Sequence, residues 1–314
     1  MEAFSFISNL IVLGGNVMNL SPENASVKNY ERISEKTLEN RAEEWGVSKS
    51  VLRSFFKILE EAEVDPEHGD NTLCEVVTRY KDLLTGLEDS ESDDPGVTRL
   101  RRQAEEVLKA GDFEQAEKFL YEAFKKHIKA ARHSSDEHIN QYLLSAAASA
   151  AEIGDLRNII LDYEGAVGYF CEAAELVPQG SELILAKYLK KWGVAAYDAG
   201  DYAGSEVPLT RALKIKEKVL GKNHAETGDC FNNLGLVYND QGKYEEAESL
   251  FKQALKIVKD NLGADHPNVA ATLNNLALLY GGQGRYEEAE PLFEQAVDIM
   301  DKHVNILQLC KAVC

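Results

Sequence analysis

The side chains that most often do chemistry are few in this chain and badly placed for it. Seven histidines stand at His68, His127, His133, His138, His224, His266 and His303. His127, His133 and His138 crowd together, but no cysteine is near and their spacing suits no zinc motif. His224 and His266 lie 42 residues apart in matching surroundings, which points to a repeated structural role rather than to catalysis. The five cysteines form an odd set without a CxxC pair, so they read as reduced thiols of a cytoplasmic protein. The terminal "CKAVC" misses a prenylation box, because Lys311 stands where that box needs cysteine. No nucleophile elbow, phosphate loop, metalloprotease helix or dinucleotide fingerprint is present. The expectation is a non-enzyme without catalytic, metal-binding or cofactor-binding residues. The glutamates of "YEEAE" read as a solvated helix face.

Two groups of residues remain that could bind. The first is a pair of asparagines that occurs twice, as Asn232-Asn233 and as Asn274-Asn275. Asparagine is a mediocre helix former, so keeping two of them twice in a helical context suggests a use. The second is Lys187, Lys190 and Lys191, a basic spot in a chain whose net charge is -19. That charge disfavours a phosphate-backbone partner and weakly favours basic or neutral ones.

The elements that position these residues are legible in a repetition. "NNLGLVYNDQGKYEEAESLFKQAL" begins at Asn232, and "NNLALLYGGQGRYEEAEPLFEQAV" begins 42 residues later at Asn274. A more diverged copy precedes them, with Gly193, Tyr202 and Ala212 in register with Gly235, Tyr244 and Ala254. Within a copy, Leu234, Val237 and Tyr238 fall on one helix face, and Ala247, Leu250, Phe251, Ala254 and Leu255 on another. The Gly242 region breaks the chain between them. At the joints, Asp265 reads as an N-cap before Pro267, and Asn223 with Glu226 as a capping pair.

The pattern Leu234-Gly235-x-x-Tyr238, followed by Ala247, Phe251 and Ala254, resembles the tetratricopeptide repeat. The 42-residue unit is similar to the repeats of kinesin light chain and its bacterial relatives, over roughly residues 183–304. Weaker copies from Arg99, with Gly111-Asp112-Phe113, and from Tyr142 extend the count to about five hairpins over residues 97–305. No hairpin can bury its apolar face alone, so stacking is obligatory. The fold class is therefore all-α: an α-solenoid, with a right-handed superhelix implied by the resemblance, behind a small helical N-terminal segment. In such proteins the first helix of each hairpin lines a concave groove. By resemblance, Asn233 and Asn275 would hold the backbone of a bound peptide, with Asn232 and Asn274 as second choices. Lys187, Lys190 and Lys191 would supply charge to an acidic residue or a free carboxylate. The plain alternative is that the lysines are ordinary surface residues and the asparagines bridge neighbouring helices.

The flanks are less specific. Residues 1–28 read as a leader, disordered or a short strand, with Met18 as an alternative start to Met1. Residues 29–87 form a helical N-terminal domain, with helices near 29–45, 49–63 and 71–87, and residues 88–96 an acidic linker. The segment 41–59 mimics a helix-turn-helix in which Lys49, Arg53 and Lys57 could touch phosphate, although Phe55 and Phe56 look like packing. Residues 306–314 are an apolar tail, read as a partial cap, as the stump of a longer array or as a surface for self-association. No stretch is long and apolar enough to span a membrane. The functional expectation is a scaffold or adaptor that binds a protein or peptide partner. The alternatives are a regulatory fragment of a multidomain effector enzyme whose catalytic module is absent, or a DNA-binding adaptor acting through residues 41–59.

Overall fold

A computed structural model describes residues 35–65, 69–89, 94–134 and 136–313. The leader, both alternative start residues and residues 29–34 of the expected first helix lie outside the described residues. All regular structure among the described residues is helical, thirteen helices in chain order. They are α1 (Glu35–Trp45), α2 (Lys49–Glu61), α3 (Gly69–Asp89), α4 (Pro95–Ala110), α5 (Phe113–His133), α6 (Asp136–Ile159) and α7 (Tyr163–Leu176). Then follow α8 (Glu182–Asp198), α9 (Tyr202–Val219), α10 (Ala225–Asp240), α11 (Tyr244–Leu262), α12 (Pro267–Gly282) and α13 (Tyr286–Val313). The chain divides into two compact units, with the boundary between Ala199 and Gly200.

In the first unit α4 packs on α5, α5 on α6, α6 on α7 and α7 on α8. The N-terminal helices join this stack: α3 lies against α4 and α6, and α2 against α3 and α4. The reason is visible in α2, where Val51, Leu52, Phe55, Phe56 and Leu59 form one buried stripe. Ser48 caps that helix by accepting from Val51 N at 3.2 Å. The same hydroxyl donates to Lys109 O at 3.0 Å, and Ser54 donates to Gly111 O at 2.9 Å. So α2 is docked on the turn between α4 and α5. Lys49 is paired with Glu39 and Lys57 with Glu61. These contacts give the helix-turn-helix-like segment a packing role.

In the second unit α10 pairs with α11 and α12 with α13, and α11 packs on α12. Ala247, Phe251, Leu276, Ala277, Tyr280, Ala289 and Phe293 form one buried cluster drawn from both hairpins. The small residues set the helix spacing. A Cβ on Gly235 would stand 2.6 Å from the Phe251 ring, and one on Gly154 in the first unit 2.7 Å from the Phe170 ring. The period is thus expressed as a recurring glycine-against-phenylalanine contact. α13 shows no break at Asn305 and runs on to Val313, so the expected hairpin end is continuous helix.

One turn position is constrained in every hairpin. Two residues before each second helix stand Gly111, Leu161, Gly200, Gly242 and Gly284, with φ of 86°, 62°, 80°, 75° and 76°. This left-handed conformation closes the first helix and is cheap only for glycine. Leu161 adopts it without that relief.

The joints between hairpins differ from the expectation. The N-cap of α10 is His224, whose Nδ1 accepts from Glu226 N at 3.2 Å, and not Asn223. The N-cap of α12 is His266, whose Nδ1 accepts from Asn268 N at 3.1 Å, and not Asp265. Histidine Nδ1 is as far from its Cα as an asparagine oxygen, so the ring reaches the same amide. This is the shared role of the two in-register histidines, and it requires the neutral tautomer protonated on Nε2.

Candidate functional site

The basic spot lies on α8 of the first unit. Lys187 is exposed, with Nζ 5.9 Å from the Tyr188 ring centroid. Lys190 is half-buried. Lys191 is half-buried too, but its charge is answered: Nζ donates to both Asp155 carboxylate oxygens, at 2.5 and 2.6 Å. It also lies 5.4 Å over the Phe170 ring. Asp82 on α3 feels both Lys191 and Asp155, and burial pushes its carboxyl up.

The asparagines lie in the second unit and fall into distinct environments. Asn275 Nδ2 donates to Asn232 Oδ1 at 3.0 Å, joining α12 to α10. Asn233 is half-buried. Asn274 is fully buried, and neither polar atom of its side chain has a hydrogen-bond partner.

Two polar arrangements escaped the sequence reading. The first is a clasp between consecutive hairpins. Glu206 on α9 accepts from the Tyr238 hydroxyl at 3.2 Å and from Lys243 Nζ at 3.3 Å. One period on, Glu248 accepts from the Tyr280 hydroxyl at 3.0 Å and from Arg285 Nη1 at 2.7 Å. The basic group sits over the tyrosine ring each time, Lys243 at 4.7 Å and Arg285 at 3.9 Å. Arg285 is the main cause that holds the Glu248 carboxyl down to about 2. In the first unit Glu117 and Arg157 stand at the corresponding positions and are ion-paired, and Arg157 also reaches Asp162 at 2.5 Å. The signal was available, since Glu206, Tyr238 and Lys243 reappear 42 residues later as Glu248, Tyr280 and Arg285.

The second is a buried network inside the first unit. Arg101 on α4 donates from Nη2 to Glu152 Oε1 at 2.7 Å and to Ser149 Oγ at 3.4 Å, both on α6. His127 Nδ1 on α5 lies 3.0 Å from the same Ser149 hydroxyl. Burial, helped by the Arg101 charge, lowers His127 to about 4. Burial raises Glu152 to about 7, against the pull of Arg101. Nothing in the sequence flags these residues, because the network occurs once and its partners are scattered.

Among the described residues no three His, Cys, Asp or Glu side chains gather as metal ligands. No helix among them is long and apolar enough to cross a membrane. A cleft of about 650 Å³ opens between α2 and the hairpin turns of the first unit, lined by Lys57, Glu61, Asp112, Phe113, Leu161 and Asp162 among others.

Residues 183–260 and 231–302 match the family model described as tetratricopeptide repeat. A kinesin light chain-like protein of nearly identical tetratricopeptide-like repeats from Podosopora anserina is similar in structure. Its TM-score is 0.54 at 21% identity, over 68% of this chain and 100% of that one. BtubC (BKLC) from P. vanneervenii gives a TM-score of 0.56 at 18% identity, over 73% of this chain and 92% of that one. At these identities the neighbours establish the fold alone. No curated protein matches the chain.

Proposed function

We propose, from the premise that residues 183–302 are tetratricopeptide repeats of the kinesin light chain-like kind, that this chain is a protein-binding scaffold without chemistry of its own. The observation that carries this reading is where the polar groups are used. The repeated Glu–Tyr clasps and the capping histidines serve assembly, whereas Lys187 stands exposed on a first helix and Asn233 remains half-exposed on another. Binding surface is what such a construction leaves over.

For the ligand, the reading is a peptide with an acidic residue or a free C-terminal carboxylate. In the first unit Lys187 and Lys190 supply the charge, while Lys191 is paired with Asp155. Separately, within the second unit, Asn233 and the Asn232–Asn275 pair offer amides to an extended backbone.

A display library of extended peptides, sorted on the whole chain and followed by fluorescence anisotropy, tests this. Enrichment of acidic or carboxylate-terminated sequences is expected. Combining Lys187→Glu with Lys190→Glu should then weaken binding at least tenfold, and Asn233→Ala several-fold. Selected peptides that bind the lysine double variant as tightly as the parent would remove the assignment.

A further inference from the structure

We infer that the two joints of the second unit form an acid-sensitive release, in which protonation of His224 and His266 strips the N-caps from α10 and α12 together.

The device lies in what the two rings accept. His224 Nδ1 takes the Glu226 amide at 3.2 Å, and His266 Nδ1 takes the Asn268 amide at 3.1 Å. An imidazole accepts through Nδ1 only while it is neutral, because the imidazolium carries a proton on both nitrogens. A charged ring points a donor at a donor. It also sets a positive charge at the positive end of the helix dipole. Histidine is the side chain that changes charge between about pH 5 and 8, whereas a serine or asparagine cap keeps its acceptor there. Elsewhere the caps are of other types: Ser48 caps α2, and Asp94 caps α4 by accepting from Gly96 N at 2.6 Å. The histidine caps start both α10 and α12, first helices of successive hairpins, so one change of pH acts on two joints at once.

The bond at stake is confined to the joint. The His224 and His266 carbonyls take the next amides, Thr227 N and Val269 N, both at 2.9 Å. Losing the ring bond therefore loosens the first turn without dissolving the helix. The charged groups about the first joint are Lys216 and Lys218 at the end of α9, Lys222 in the turn, and Glu226 and Asp229 on α10. Glu226 is ion-paired with Lys216 at 2.9 Å. About the second joint they are Lys259 and Asp260 at the end of α11, Asp265 in the turn, and Asp298 and Lys302 on α13. Lys302 answers Asp265 at 3.1 Å and Asp298 at 3.0 Å. The carboxylate nearest in sequence to each ring thus already faces a lysine, which limits its pull on a ring proton. Acid loosens the spacing of the hairpins, on which any binding surface of this unit depends.

The test uses the full chain and a double variant, His224→Asn with His266→Asn, in which an amide oxygen caps at any pH. Hydrogen exchange of residues 221–228 and 263–270, corrected for the intrinsic rate, is followed from pH 7.5 to pH 5. Protection in the parent should fall about fivefold, the worth of one N-cap, while the double variant stays flat. Residues 94–98, at the start of α4, should stay flat in both proteins. Long-range nitrogen-15 NMR spectra of the parent should show both rings protonated on Nε2 alone at pH 7.5 and on both nitrogens at pH 5. A ring protonated on Nδ1 at pH 7.5, or still neutral at pH 5, would overturn the device. So would an equal loss of protection in the two proteins. The spectra need only the parent, so they decide even where the variant does not fold.

Discussion

Asn275 donates its side-chain amide to Asn232 at 3.0 Å, whereas Asn274, one residue away and 42 residues after Asn232, is buried without a partner. Three asparagines that look alike in the sequence thus carry different energies. Asn232→Ala should cost about 1 kcal/mol, because it strands a half-buried donor. Asn274→Leu should gain about 1–2 kcal/mol, because it replaces an unsatisfied buried amide by an apolar group of similar size. Urea midpoints of the two variants should move in opposite directions; a lower midpoint for Asn274→Leu would mean that the amide has a partner after all.

Leu161 offers a second stabilising change. It holds φ at 62° where four other hairpins place glycine. A left-handed backbone costs an L-residue about 1–2 kcal/mol, of which glycine's extra unfolded-state freedom returns part. Leu161→Gly should therefore raise stability by about 0.5–1 kcal/mol, and the reciprocal Gly242→Leu should lower it by about 1–2 kcal/mol. Thermal melts of the two single variants decide the point.

The buried network predicts a hidden pH dependence. Glu152 titrates at about 7 in the folded chain against 4.5 ordinarily, so the folded state holds its proton more tightly. Its contribution is complete below 4.5 and is lost as pH rises towards 7. His127 titrates at about 4 against 6.5 ordinarily, so the unfolded state takes up its proton first. Its contribution is complete above 6.5 and is lost as pH falls towards 4. Between pH 4.5 and 6.5 the two slopes oppose each other and largely cancel. Glu152→Gln should leave a stability that rises with pH across this window, and His127→Gln one that falls, each by about 1 kcal/mol per pH unit. Denaturant midpoints at pH 5 and pH 6.5 that stay parallel to the parent's would show that the groups do not titrate in this range.

The clasp at Glu248 has a simpler dependence. Its carboxyl is held down to about 2, chiefly by Arg285, so its contribution is present above 4.5 and is lost as pH falls through 2. Glu248→Gln keeps the shape but drops the charge. It should cost about 1 kcal/mol at neutral pH and little at pH 2, with the difference shrinking in high salt.

How much of this was legible is clearest at the joints. The hairpins were readable because a residue type at a fixed offset dictates backbone: Gly200, Gly242 and Gly284 mark a turn wherever they fall. Leu161 occupies the same turn and gives no such sign. The caps were misplaced by one residue because Asp265 and Asn223 are favoured capping types, while the neighbouring imidazoles win by geometry. The clasps could have been found by asking which charged residues keep the period and the sign. The asparagine environments could not, since a one-residue step around a helix separates a bridge from an orphan. The Arg101–Glu152–Ser149–His127 network was beyond reach, being a single event among residues far apart in the chain.

The series of clasps has a gap. At the α7–α8 joint the positions held elsewhere by glutamate and by tyrosine or arginine are Val167 and Ala196. There the join is made from a third helix, because Arg79 of α3 lies over the Tyr163 ring and donates to Asp198 at 2.7 Å. A molecule assembled from near-copies thus carries fastenings of two kinds, one built into the repeat and one supplied from outside it.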